Sequence, residues 1–258
     1  MLFRKQIQTI LLLSILLATQ VLAAQENSAI NLLKEANTHY KNNEFIEAEK
    51  VYLQLMNSGI SSPELYYNLG NTYYRLQKNT EAIYYYEKAL IIAPDDKDII
   101  HNLKHAKLSI TERLEEVPKF FLLTFTNKII NSQTADSWAL YSLFGFLLML
   151  ASILIYLFNK RRKYKVLGFT MAILLLVTTT ASFIFSQNRL KTETDNPFGI
   201  IFTEAVALRS SPDETATVLI RVSAGHKVKV SEYSGNWAEI KLSNGQVGWV
   251  LKTDVRML

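Results

Sequence analysis

The chain of 258 residues contains no cysteine. That absence removes disulfide staples, thiolate catalysis and cysteine-ligated metal sites from the possible chemistries. It leaves the compartment open, because an exported protein is free to avoid thiols. Also missing are a Gly-rich phosphate loop, an HExxH helix and a nucleophile elbow. Glu115-Glu116 reads as a charge pair at a helix end and not as a catalytic dyad. The expectation is a protein that is not an enzyme and carries neither cofactor nor metal. A third absence is local. Trp138 to Phe158 and Val166 to Phe185 hold no Asp, Glu, Lys, Arg or His. Ion pathways and proton relays need ionisable groups at membrane depth, so these runs argue against transport by this chain alone. Thr178, Thr179, Thr180 and Ser182 then read as helix-packing residues.

What those runs do have is length. By numbering they are 21 and 20 residues, and a helix needs about 20 apolar residues to cross the hydrocarbon core. Between them, Asn159 to Lys165 carries five cations: Lys160, Arg161, Arg162, Lys163 and Lys165. Lys and Arg in short loops stay cytoplasmic. The pattern predicts a transmembrane hairpin with helices over 138–158 and 166–185 and a cytoplasmic turn at 159–165. Everything before and after the hairpin then shares the opposite compartment. Residues 1–23 agree: Arg4 and Lys5 precede an apolar stretch from Ile10 to Leu17, and Val21-Leu22-Ala23 ends small, as in a signal peptide cleaved after Ala23. An uncleaved anchor is the alternative, and either one exports the repeats beyond it. The formal net charge of +5 is mostly topogenic. With Arg4, Lys5 and the five loop cations set aside, 21 bases face 23 acids, which argues against nucleic acid as a partner.

From Ala29 to Asp96 the sequence repeats with a period of 34. Asn37-Thr38-His39-Tyr40-Lys41 returns as Asn71-Thr72-Tyr73-Tyr74-Arg75, Glu47-Ala48 as Glu81-Ala82, and Tyr52 as Tyr86. In the second copy Tyr66, Leu69-Gly70, Tyr73, Ala82, Tyr86, Ala89 and Pro94 fit the tetratricopeptide (TPR) pattern. Gly70 and Ala82 are small where paired helices cross, Tyr73 and Tyr86 fill the space between, and Pro94 ends the second helix. The first copy is divergent, with Ala36, Leu55 and Ile60 at the glycine, alanine and proline positions. Stacked helical pairs need about three units. Lys97 to about Leu114, with Ile99, Ile100, Leu103, Ala106, Ile110 and Leu114 at helical spacing, supplies a capping helix before Pro118. The expected α-helical TPR solenoid of two repeats plus cap occupies 29–117. Residues 118–137 hold Phe120, Phe121, Leu122, Leu123, Phe125, Ile129 and Ile130, too short a cluster to span. They suit an interfacial juxtamembrane segment, or else a segment packed under the repeats.

A polar linker is expected over 186–198, followed by a small all-β barrel over 199–258. Ala205 to Arg209, Thr217 to Val222, Lys227 to Val230, Trp237 to Leu242 and Val247 to Val250 read as five strands. Ser211-Pro212-Asp213, Ala224-Gly225, Ser234-Gly235-Asn236 and Ser243-Asn244-Gly245 supply the turns.

This β segment resembles the bacterial SH3 (SH3b) domain through Leu208-Arg209-Ser210-Ser211-Pro212, Ala224-Gly225-His226-Lys227-Val228, Asn236-Trp237-Ala238-Glu239-Ile240 and Gly245-Gln246-Val247-Gly248-Trp249-Val250. The order signal, TPR pair, membrane hairpin, SH3-like domain resembles the BatE-type proteins of bacterial aerotolerance (Bat) operons. Ser61-Ser62-Pro63-Glu64-Leu65-Tyr66-Tyr67-Asn68-Leu69-Gly70-Asn71 and Asn102-Leu103 strengthen the likeness. The resemblance implies a two-pass inner-membrane protein with both domains in the periplasm. It further implies partners among membrane-bound Bat proteins with von Willebrand factor A-type domains, and a role in oxygen tolerance or envelope stress.

Two surfaces are candidate sites. Asn37, Tyr40 and Lys41, with Tyr67, Asn71, Tyr74 and Arg75, fall near the concave face of the repeats by helical spacing. Asn can bond both polar groups of a peptide amide, and Lys or Arg can hold a carboxylate. Asparagines bonded locally on a solvated face are the alternative. On the SH3-like domain, Tyr233, Trp237 and Trp249 are the aromatics for a peptide groove, although Trp249, and Trp237 in part, also suit the core. His101 and His105 stand one turn apart with no third ligand at a matching interval. The leading expectation is a non-catalytic membrane scaffold for protein partners. The rival is a receptor whose SH3-like domain grips peptidoglycan peptide.

Overall fold

A computed structural model describes residues 28–110, 121–194 and 197–258. The signal-sequence reading, Glu115-Glu116, Leu114 and Pro118 lie outside the described residues. The chain divides into two compact units, Met1–Ala89 with His101–Ser109, and Leu90–Ile100 with Ile110–Leu258.

The first unit is helical. Helix α1 covers 28–41, followed by α2 (Phe45–Asn57), α3 (Pro63–Arg75), α4 (Asn79–Ile92) as far as Ala89, and α5 (Lys97–Lys107) from His101. The 34-residue period reaches into the backbone. Two residues beyond the ends of α1 and α3, Asn43 and Gln77 take φ of 63° and 62°. The amides of Glu44 and Lys78 reach back to the carbonyls of His39 and Tyr73, at 2.9 Å in both copies. This left-handed cap satisfies carbonyls that a helix end would otherwise orphan. At the start of α3 the Ser62 hydroxyl accepts from the Leu65 amide at 3.1 Å and Pro63 opens the first turn, where its missing N–H costs nothing. Ala36, Ala48, Tyr52, Leu55, Leu65, Leu69, Ala82, Tyr86 and Ala89 are buried. Gly70 is required by this packing, because a Cβ there would stand 2.6 Å from the Tyr86 ring. Leu103 and Ala106 of α5 are buried as a cap requires.

In the second unit α6 (Phe121–Asn131) leads to α7 (Ala135–Phe158), whose N-cap Thr134 accepts from the Ser137 amide at 3.2 Å. Helix α8 spans Arg162–Thr194. Both α7 and α8 are long and apolar enough to cross a membrane, and they pack antiparallel. Gly145 faces Thr179 and Gly168 faces the Ser152 carbonyl and Tyr156 amide; a Cβ on Gly168 would come within 2.7 Å and 2.9 Å of those backbone atoms. At the far end the Ser186 hydroxyl donates to the Ala135 carbonyl at 2.9 Å. The non-helical turn is only 159–161, held by the Arg161 amide on Asn159 Oδ1 at 3.2 Å. The polar stretch expected as a linker is different. Residues 186–194 continue α8 as helix, since nothing before Pro197 interrupts a helix and the residue preceding a proline disfavours one. Arg189 within it is buried and donates to the carbonyls of Ile91 and Ile92 at 2.7 and 3.1 Å.

The C-terminal part of this unit is one antiparallel sheet of seven strands: β1 (Phe198–Ile201), β2 (Ala205–Arg209), β3 (Val218–Ser223), β4 (Lys227–Ser234), β5 (Trp237–Lys241), β6 (Val247–Leu251) and β7 (Val255–Met257). The strand order is β3-β2-β6-β5-β4-β1-β7. Five of these correspond to the runs read from sequence. β1 and β7 do not, and they pair with each other through Gly199↔Met257 and Ile201↔Val255. Each is too short to show alternation. Gly225 and Gly245 take φ near 90° in their turns, a region open to glycine. Ile201, Val206, Leu208, Val222, Val228, Val230, Ala238, Ile240, Leu242 and Val250 form the core.

Candidate binding surfaces

On the repeats, the asparagines expected to meet a ligand are engaged within the stack. Asn37 Oδ1 accepts from the Tyr52 hydroxyl at 2.5 Å and from Asn68 Nδ2 at 3.1 Å. Asn71 Oδ1 accepts from the Tyr86 hydroxyl at 2.7 Å and from Asn102 Nδ2 at 2.8 Å. The second set is the first displaced by one period, so α5 docks on α3 as α3 docks on α1. Both acceptor oxygens are thereby taken by internal donors, as in the local-bonding alternative. Burial first, and Tyr67 second, push the Tyr86 hydroxyl well above the ordinary tyrosine value, keeping it a donor to Asn71. Tyr67 itself accepts from Asn102 Nδ2 at 3.1 Å and packs its ring 6.1 Å from that of Tyr86.

Of the remaining candidates, Tyr40 is half-buried and joins Arg75 in a surface cluster around Phe45. Tyr40 meets Phe45 edge to face at 5.4 Å, and the Arg75 guanidinium lies over the Phe45 ring, 4.5 Å from its centroid. Arg75 Nη2 also donates to Asn43 Oδ1 at 3.2 Å. Lys41, Tyr74 and Arg75 are exposed. Phe45 organises this patch and the sequence reading did not include it. Asn68 and Asn102 were missed too, although they stand 34 residues apart like Asn37 and Asn71. His101 and His105 meet edge to face at 4.5 Å on α5.

On the sheet the three aromatics do not converge. Cross-strand pairs share a face. Trp237 opposes Leu251, and Trp249 opposes both Glu239 and Arg209, so the two tryptophans lie diagonally on the outward face. Each is half-buried, and neither joins the core. Tyr233 opposes Ala238, which is buried, and therefore lies on the inward face. The cause is a bulge in β4: Val230 opposes Ile240 but Glu232 opposes Glu239, so Ser231 is an extra residue. Strict alternation from Val230 sends Tyr233 outward beside Trp237, and the bulge reverses it. At the open end of the sheet Tyr233 stays half exposed and borders a cleft of about 320 Å³ with Val230, Ala238, Lys252, Val255 and Met257.

Residues 63–96 match the tetratricopeptide repeat family and residues 204–256 the bacterial SH3 domain family. No curated protein matches the chain.

Proposed function

We propose that this chain is a non-catalytic membrane adaptor, anchored by the α7–α8 hairpin in the bacterial inner membrane, with its repeats and its SH3-like domain both exported. The observation that carries the reading is the joining of two binding-type domains through a pair of long helices whose apolar runs, 138–158 and 166–185, hold no Asp, Glu, Lys, Arg or His. An even number of crossings returns the chain to the compartment it left, and the five cations between Lys160 and Lys165 favour a turn on the cytoplasmic side. The partners are protein or peptide segments. By the family resemblance they are other membrane-bound Bat proteins, and the process is tolerance of oxygen or envelope stress.

On the repeats, Tyr74, Arg75 and Lys41 make the contact, and the asparagines hold the stack in shape. The test uses the full chain, crosslinked in cells and purified in detergent. Tyr74→Ala with Arg75→Glu removes a co-purified A-domain membrane protein while the helical circular dichroism stays unchanged. Retention of that protein by the double variant overturns the role given to the repeats. The bacterial SH3 match also favours a second reading, a receptor for peptidoglycan peptide. Sedimentation of the full chain with purified sacculi separates the two: firm pelleting supports the receptor, and none supports the adaptor.

A further inference from the structure

The cleft bordered by Tyr233 has a chemistry of its own. Its floor is apolar: Ala238 and Val230 are buried, Val255 is half-buried, and Met257 stands at the edge. One lip is the half-exposed Tyr233 ring. The other is Lys252, whose Nζ lies 4.9 Å from the centre of that ring. The Lys252 amide donates to the Asn236 carbonyl at 2.9 Å, which ties the base of the lysine to the β4–β5 turn. No lining residue is acidic. The β4 bulge is what turns Tyr233 toward this space, and bulges commonly re-aim a side chain beside a site. A volume of about 320 Å³ is at the small end of ligand pockets, enough for one or two side chains.

We propose that this cleft binds the C-terminal residue of a partner polypeptide, its apolar side chain on the Val230–Ala238–Met257 floor and its α-carboxylate on Lys252. The argument is charge and distance. A single cation stands at the rim of an apolar floor, within one residue's reach of it. The occupant must therefore present a carboxylate and an apolar side chain almost at the same point, and a chain terminus carries both on one Cα. A leucine-sized side chain suits the volume. The methyl group of a terminal D-alanine leaves most of it empty, which favours a protein terminus over a cell-wall stem peptide. The inference rests on the reading of the SH3-like domain as a peptide-binding module.

The test monitors the Met257 methyl resonance of the full chain in detergent micelles, assigned with Met257→Leu. The probes are acetyl-Gly-Ser-Gly-Leu with a free C-terminus, the same peptide as its C-terminal amide, and a muropeptide ending in D-alanine. The free acid shifts the resonance, and the amide requires a concentration roughly tenfold higher, the scale of one charge-assisted contact. In Lys252→Met, an exposed position, the acid falls to the level of the amide while the Met257 resonance of the free protein and the circular dichroism are unchanged. Equal titration by acid and amide, or no shift at millimolar peptide, overturns the proposal. A stronger response to the muropeptide overturns the choice of a protein terminus. If the peptides do nothing while partner or sacculus capture persists in Lys252→Met, this inference fails and the peptide-binding reading stands. If capture by the SH3-like domain is absent too, that reading fails with it.

Discussion

Tyr52 and Tyr86 each hold a phenol proton inside the repeats and donate a hydrogen bond through it to an asparagine oxygen. Their hydroxyls, with that of Tyr73, are raised above the ordinary value of 10.0, chiefly by burial. The linkage has a definite sign. In the unfolded chain these groups lose protons near pH 10, while in the folded chain they keep them. Their contribution to stability is complete below pH 10 and falls as the pH climbs from there towards the folded-state values. An ultraviolet phenolate titration should therefore show these three ionising only as the helical circular dichroism is lost. Tyr86→Phe deletes one donor from Asn71, which keeps Asn102, so the cost should be about 0.5–1.5 kcal/mol in a denaturant melt. Sequence reading left two partners open for Asn37 and Asn71, a ligand or a neighbouring side chain, and in the structure their oxygens meet neighbouring side chains. A period of 34 reveals which positions are equivalent. It does not reveal which way an amide points, because Asn37 serves a ligand and a neighbouring helix equally well by spacing alone.

Elements were more legible than residues where their patterns were long. The paired helices, the capping helix and the two apolar spans follow from periodicity, glycine and alanine placement and run length. β1 and β7 escaped because four and three residues carry no readable alternation and their pairing is non-local. The extension of α8 through 186–194 escaped because polar composition suggested a linker, whereas Arg189 is buried against the carbonyls of Ile91 and Ile92. The aromatic trio of the SH3-like domain was misgrouped for a third reason. One inserted residue, Ser231, changes the parity of everything after it, and no composition rule signals a bulge in a strand of ordinary β-formers. Within the hairpin, the close approach at Gly168 gives a direct prediction. Gly168→Leu must push α8 from the Ser152 and Tyr156 backbone, and overpacking of this kind costs about 1–3 kcal/mol. Detergent-solubilised Gly168→Leu should unfold at lower temperature than the parent, and an equal melting temperature would show that the helices do not pack this way.

For the whole molecule the missing cysteine becomes an experimental convenience, since any introduced thiol is the only one. A cysteine at Asn159 should resist a membrane-impermeant thiol reagent in intact spheroplasts and react once the membrane is opened. A cysteine at exposed Ser231 should react without permeabilisation. Labelling of the Asn159 position from outside would invert the topology and put both binding domains in the cytoplasm.

The asparagine–tyrosine relay has one more consequence, for how the solenoid could be lengthened. Each unit offers an amide from its first helix to the asparagine oxygen of the unit before it, so the joint has a direction. Position 105, one period beyond Asn71, is histidine, and an incoming unit would find an imidazole where the side-chain amide should be. Extra copies of residues 63–96 spliced in ahead of α5 keep every joint intact, because each new copy brings both an Asn68-type donor and an Asn71-type acceptor. The same copies spliced in behind α5 meet a connector of the wrong shape. The array can grow from its middle and not from that end.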